Sequence, residues 1–276
     1  MWSLAHAPFG LAAFYAKLLD VAVPRLRRTA RRNLELAYPE KSAAEREGII
    51  DEVFQSIARL LYAFGRFPQI NRQNVSQWIR YEGLENYLEA KKAGRGVLVA
   101  TAHFGNWELS AFAHALMTEP MHVMIRPLDN PAIDQLVEAR RGLSGNQLIS
   151  KRDAARAVLR ALQQNEAVGI LIDQNTSADE GVFVDFFGTP ACANTGFAKI
   201  AAHTGAVVIP GFAIWSAKEG RYVLRFYSPV PISGDVSADT QRLHARLEEV
   251  IREAPGQWLW IHRRWKTRPA GEAPLY

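Results

Sequence analysis

Cysteine is nearly absent: Cys192 is the only one in 276 residues. A single thiol excludes an internal disulfide framework and a cysteine-rich metal site, and it fits a reducing compartment. The apolar stretch over residues 7–23 is broken by Lys17 and Asp20, and it falls short of the roughly 20 residues a spanning helix needs. No small-residue cleavage site follows a charged region, so no signal peptide is expected. Neither a Gly-x-x-x-x-Gly-Lys loop nor a Gly-x-Gly-x-x-Gly turn after a strand is present, which removes the nucleotide-binding classes. His103, Glu108 and His114 lack the i, i+4 histidine pair of a zinc helix, and no metal is expected. There is no internal repeat and no low-complexity tract.

What is present is a core-forming composition. Apolar residues make up 48% of the chain, enough for a sizeable core and too many for disorder. The length suits one large domain, or one domain with an appendage. The net charge of +5 points to an acidic partner: nucleic acid, an anionic membrane or a phosphorylated substrate. Arg25, Arg27, Arg28, Arg31 and Arg32 follow directly on the apolar residues 7–23. An apolar helix abutting an arginine cluster reads as an interfacial anchor on an anionic leaflet. It reads equally as an amphipathic helix packed on the domain, with a solvated basic face. We therefore divide the chain into a membrane-associating segment, 1–40, and a main domain, 41–276.

Within 41–276, Ser42 and Glu45 form a capping box opening a helix over 43–64. Helical spacing recurs over 84–93, from Trp107 onward, and over 131–141, 152–164, 194–203 and 238–253. Strand patterns occupy 97–101, 121–125, 147–149, 167–172, 207–215 and 222–227. The alternation predicts an α/β fold with a central, mostly parallel β-sheet flanked by helices.

Val97 to Thr101 reads as a buried strand, ending in His103-Phe-Gly-Asn-Trp-Glu108 at the edge where α/β folds keep their chemistry. On one continuous helix His103 and Glu108 would lie about 140° apart, a poor pair. With the helix starting near Asn106, Glu108 would fold back to the imidazole, fix its tautomer and support the imidazolium. No serine or cysteine stands beside the histidine, so the substrate's own hydroxyl is the expected nucleophile. Backbone N–H groups at Gly105 and Asn106 are candidate oxyanion donors. The competing reading is a histidine capping a buried turn. Arg126 and the run Asp173-Gln174-Asn175 end two further strands, and polar groups gathered at three strand ends outweigh any one of them. Two stretches stay open. Gly181 to Pro190 is aromatic and either walls an apolar tunnel or fills the core. Trp258 to Lys266 mixes tryptophan with cations, which suits a bilayer interface or single-stranded nucleic acid.

Together these residues resemble the lysophospholipid acyltransferase-like superfamily, and within it the bacterial lipid A late acyltransferases (lauroyl and myristoyl transferases). The resemblance spans roughly residues 25–268. It rests on Arg32-Asn33-Leu34 with Tyr38-Pro39-Glu40, His103-Phe-Gly-Asn-Trp-Glu108, and Arg126-Pro127 with Asn130-Pro131. It continues through Asp173-Gln174, Phe186-Phe187-Gly188-Thr-Pro190, Thr195-Gly196, Gly205 to Pro210, and Gln257-Trp258-Leu-Trp260-Ile-His262-Arg263-Arg264-Trp265.

The resemblance implies a glycerolipid acyltransferase-like fold and acyl transfer to a hydroxyl of a lipid A precursor, a Kdo-lipid IVA-like anionic glycolipid. It implies acyl carrier protein, or acyl-CoA, as thioester donor, the cytoplasmic face of the bacterial inner membrane as location, and no cofactor. Carried over by position, His103 is the general base and Glu108 its partner. Arg126 contacts phosphate or oxyanion, and Asp173 and Gln174 line the site. Family members usually have a longer, more clearly spanning amino-terminal helix. Relatives acting on other glycolipids, including mannosylated phosphoinositides, share these motifs. Three other outcomes are kept: an acyltransferase for another phosphoglycolipid or a lysophospholipid, a noncatalytic membrane lipid-binding protein, and a nucleic-acid binder, which the apolar amino terminus gives no reason to expect.

Overall fold

The computed structural model describes residues 8–150 and 154–276. Its elements are α1 (Phe9–Ala22), α2 (Pro24–Ala37), α3 (Ala43–Gly65), β1 (Ile79–Glu82), α4 (Leu84–Lys92), β2 (Val97–Thr101), α5 (Trp107–Met117) and β3 (His122–Ile125). These are followed by α6 (Pro131–Gly142), β4 (Gln147–Ser150), α7 (Ala154–Gln163) and β5 (Ala167–Leu171). The chain continues with β6 (Gly181–Phe186), β7 (Thr189–Asn194), α8 (Gly196–Thr204), β8 (Val207–Ser216), β9 (Arg221–Phe226) and α9 (Val236–Glu253). Of the helix expected over 152–164, Arg152 and Asp153 lie outside the described residues, as does Ala7 of the apolar stretch.

Seven strands form one sheet in the order β1-β9-β8-β2-β5-β3-β4. Every neighbouring pair is parallel except β8 with β9, so the α/β architecture expected from the alternating pattern is the one present. β2 and β5, at the centre, are apolar on both faces (Val97, Leu98, Val99 and Ala100; Ala167, Val168 and Ile170), as a strand covered on both sides must be. The sheet is not closed everywhere. β3 pairs with β5 only at His122–Val168 and Val123–Gly169, while it pairs with β4 over four positions. Beyond Gly169 the carboxyl ends of β3 and β5 part.

Two elements were not expected. β1 is a short edge strand, too brief to show an alternation. The aromatic stretch after Gly181 is one arm of the antiparallel β6–β7 hairpin, whose Phe186 and Phe187 enter the core. The core reading of that stretch therefore holds. The helix expected from Asn194 starts at Gly196, because Asn194 still pairs with Gly181 in the hairpin.

The capping box is formed: Ser42 N–H donates to Glu45 at 2.8 Å, and Glu45 N–H to the Ser42 hydroxyl at 3.3 Å. No helix among the described residues is long and apolar enough to cross a membrane. α1 exposes Phe14, Leu18 and Val21. The arginines that follow are divided between two tasks. Arg27 bonds Asp20 at 2.8 Å and Glu47 at 2.7 Å, and Arg31 bonds Glu47 at 2.6 Å. Arg25 and Arg28 stay exposed.

The tryptophan-rich tail is interior, correcting both surface readings. Trp258, Trp260 and Trp265 are fully buried. Their indoles donate to Asp173 at 2.9 Å, Pro255 O at 2.8 Å and Thr189 O at 3.2 Å. Asn33 on α2 holds the tail by donating to the carbonyls of Trp260 (2.6 Å) and His262 (2.7 Å).

Candidate active site

β2 and β5 run parallel with a constant register, Thr101 opposite Leu171. Two residues further along each chain, His103 and Asp173 meet. The imidazole Nδ1 lies 2.9 Å from the Asp173 carboxylate, and the same carboxylate accepts the His103 backbone N–H at 3.1 Å and the Trp258 indole N–H at 2.9 Å. Asp173 is completely buried. Burial alone would raise its pKa, but the charge and hydrogen bond of His103, with smaller contributions from His262 and Trp258, hold it well below the usual carboxylate range. For His103 burial again opposes the charged form most strongly. The adjacent Asp173 carboxylate, by charge and hydrogen bond, overcomes it, and the pKa is raised above its ordinary value. With Nδ1 occupied, the basic nitrogen is Nε2.

Glu108 is elsewhere. Its carboxylate accepts from the Arg141 guanidinium at 2.8 and 2.5 Å and from the Trp107 indole at 3.2 Å. As the second residue of α5 it is turned toward α6, where Arg141 ends a helix, and the hydrogen-bonding partner of His103 is Asp173. Glu108 still lines the same cavity as His103, and its charge favours the imidazolium.

The expected oxyanion donors are already spent. Gly105 N–H donates to Gln257 O at 2.8 Å and Asn106 N–H to Ala213 O at 3.1 Å. Gly105 takes φ +57°, and a Cβ there would sit 1.8 Å from Ala213 O, so this turn accepts only glycine. The buried Asn106 side chain caps α5, accepting Leu109 N–H at 3.0 Å. Both residues shape the turn that presents His103, and neither lines the cavity.

The cavity, of about 820 Å³, reaches from these strand ends into the gap between β3 and β5. Both faces of β5 contribute to its wall, Gly169 and Leu171 on one side and Ile170 on the other. Arg126 and Gln174 also line it and are exposed to solvent. Arg126 makes no hydrogen bond or ion pair among the described residues. His103, Glu108, Arg126, Asp173 and Gln174 thus gather at one edge of the sheet, five of the seven residues singled out from the sequence. Arg141 and Trp258 were missed. Nothing in the local pattern separates Arg141 from Arg140 beside it. Trp258 stood in a motif whose composition suggested the surface.

The His103–Asp173 pair thus stands beside a cavity lined largely by apolar side chains, with Arg126 at its solvent edge. The chain belongs to the bacterial lipid A biosynthesis acyltransferase family, whose model matches residues 1–267, and it is an acyltransferase. It is 32% identical over 284 residues to the lipid A biosynthesis palmitoleoyltransferase of Escherichia coli K12, an alignment covering 100% of this chain and 92% of that protein. It is 29% identical to the lauroyltransferase of the same organism, with the same coverage. A lipid A biosynthesis acyltransferase of Haemophilus influenzae is 28% identical, over 98% of this chain and 86% of its own length.

Proposed function

We propose that the protein moves a fatty acyl chain from an acyl carrier protein thioester to a hydroxyl of a lipid A precursor at the cytoplasmic face of the inner membrane, with His103 as general base. The observation that carries the mechanism is the His103–Asp173 contact of 2.9 Å beside the apolar cavity. Nε2 takes the proton of the acceptor hydroxyl as its oxygen attacks the thioester carbonyl. The tetrahedral intermediate collapses, the C–S bond breaks, and the imidazolium returns its proton to the departing thiolate. Because Gly105 and Asn106 are engaged, the oxyanion donors are the remaining first-turn N–H groups of α5, at Trp107 and Glu108, which lack intrahelical partners. Arg126, whose guanidinium has no partner among the described residues, supplies positive charge for the acceptor's phosphate. The basic surface also suits an acidic carrier protein.

Membrane association is supported by α1. Its exposed Phe14, Leu18 and Val21 stand beside the exposed Arg25 and Arg28, the mixture that holds a helix at an anionic interface. No membrane-crossing segment is required.

The test is a reconstituted assay with an acyl-acyl carrier protein, the lipid A precursor and anionic vesicles, read by mass spectrometry. One added acyl chain per acceptor is expected. His103→Ala should lower the rate by about 10²–10⁴ while the protein remains folded. Wild-type turnover in His103→Ala overturns the mechanism. Transfer to a mannosylated phosphoinositide or a lysophospholipid but not to the lipid A precursor overturns the acceptor.

A further inference from the structure

We propose that the exposed faces of α7 and α8 form the docking surface for the acidic carrier protein that brings the acyl thioester, with Arg156 and Lys199 as its central cations. The proposal rests on the acyl-transfer reading and names where on the molecule the protein part of the donor sits.

The sheet separates two layers of helices. Val97 and Val99 of β2 pack against Ala63 of α3 and Leu109 and Phe112 of α5. Leu98 and Ala100 point the other way and pack against α7 (Val158, Leu162) and α8 (Phe197, Ala201). α1 belongs to the first layer, where it lies on α3 with the rings of Phe9 and Tyr62 5.6 Å apart. The cavity reaches both layers through the gap between β3 and β5. Phe112 of α5 lines it on one side, and Ala155 of α7 and Ile200 of α8 line it on the other. A site for two substrates thus has two approaches, and α7 and α8 flank the one that lies across the sheet from α1.

This second approach is cationic. Arg156 and Arg160 on α7 and Lys199 and His203 on α8 are all exposed, and neither helix carries an acidic residue. Arg156, Arg160 and Lys199 make no hydrogen bond or ion pair among the described residues. Surface cations on other helices are matched. Lys92, Arg246 and Arg252 each meet a glutamate three or four residues away, at 2.6, 2.6 and 2.7 Å. The i, i+4 spacing of Arg156 and Arg160 instead sets two like charges side by side, which weakens a helix. Arg156 is the third residue of α7 and Lys199 the fourth of α8. Both stand near the positive end of the helix dipole, where a cation is again unfavourable. Stability does not account for these charges, and an anionic partner does.

Both cations sit at the rim of the cavity: Arg156 follows Ala155 and Lys199 precedes Ile200. A carrier protein seated on them presents its pantetheine thioester to the cavity at short range, and the charge match orients it and speeds encounter. A flat bilayer held by α1 cannot also cover the opposite layer, so the occupant of this face is a protein.

The experiment measures turnover by the full chain of two donors with the same acyl chain, lauroyl-acyl carrier protein and lauroyl-pantetheine, with the lipid A precursor as acceptor. Equilibrium binding of the carrier is measured in parallel. In wild type, KM for the carrier-borne donor should rise steeply with salt and KM for the pantetheine thioester should not. Arg156→Glu combined with Lys199→Glu should raise KM for the carrier-borne donor about ten- to a hundredfold, weaken carrier binding in step, and change turnover of the pantetheine thioester less than about twofold. Both substitutions place a carboxylate near a helix N-terminus, so the variant should be at least as stable as wild type. Lys218→Glu, a charge reversal in the β8–β9 turn, should affect neither donor. Unaltered carrier KM and binding in the double variant overturn the proposal. An equal loss on both donors also overturns it, by placing the cations inside the cavity. Lost binding to anionic vesicles with unchanged carrier binding overturns it in favour of a membrane. Turnover of neither donor by wild type refutes the acyl-transfer reading, and carrier binding, weakened or not in the double variant, then decides the docking surface alone.

Discussion

Asp173→Asn separates the two carboxylates that could serve His103. Asp173 receives three N–H donors, from His103 Nδ1, the His103 backbone and Trp258, at 2.9, 3.1 and 2.9 Å. An asparagine has one acceptor oxygen, and its amide would aim hydrogens at at least one of those donors. One buried donor left unmatched costs about 1–3 kcal/mol, and in a chain of this size each kcal/mol is about 2–4 °C of melting temperature. The catalytic cost is larger than the stability cost. An amide can drive the proton from Nδ1 to Nε2, removing the lone pair that takes the substrate's proton. In a triad, the same exchange of aspartate for asparagine costs about 10⁴ in rate. The pH profile carries the sign. With His103 as the proposed base the neutral imidazole is the form that reacts, its pKa is raised, and activity should climb with pH through a midpoint above the ordinary 6.5 or so. Asp173→Asn removes the charge that raises it and leaves burial, which lowers it, so the residual activity should climb at lower pH. The assay is initial rate against pH for both proteins. A loss below tenfold, or an unmoved midpoint in a folded variant, refutes the role given to Asp173.

Gly105→Ala should destabilise the protein by several kcal/mol or prevent folding, since φ is +57° and Ala213 O stands 1.8 Å from the new Cβ; thermal denaturation checks it. Arg141→Ala leaves the Glu108 carboxylate, only 12% exposed, without its cation and should cost roughly 1–3 kcal/mol. Adding Glu108→Gln should recover part of that loss in a double-mutant cycle. Stability linked to the His103–Asp173 pair should be greatest between about pH 4 and 6.5. The raised histidine contributes fully below its unfolded value and loses its contribution as pH rises through the folded one. The lowered aspartate contributes fully above its unfolded value and loses its contribution as pH falls toward the folded one. Urea unfolding across that range measures it.

The strand and helix boundaries around His103 were legible because the physics is local: a short apolar run, a glycine turn and a helical spacing. The partner of His103 was not. Glu108 is five residues away and Asp173 is seventy, and sequence proximity favoured the nearer carboxylate. What decides is the crossover through α7, which returns β5 to a place beside β2 with Thr101 opposite Leu171. Strand ends can be recognised one at a time, but their adjacency is a property of the whole sheet. The tail misled for a related reason. Tryptophan and arginine mixed together resemble a surface until the buried acceptors are known: Asp173 and the carbonyls of Thr189 and Cys192.

The placement of residues 257–265 also bears on how the site is braced. Leu259 N–H donates to His103 O at 2.9 Å, Gln257 O receives Gly105 N–H, and Trp258 completes the ring of donors around Asp173. These residues follow every strand of the sheet in the chain. The strands of the sheet therefore all precede residues 257–265, yet the turn that aims the imidazole is unbraced until these residues are in place. A sheet formed without them lacks the backbone and indole contacts that hold His103 and Asp173.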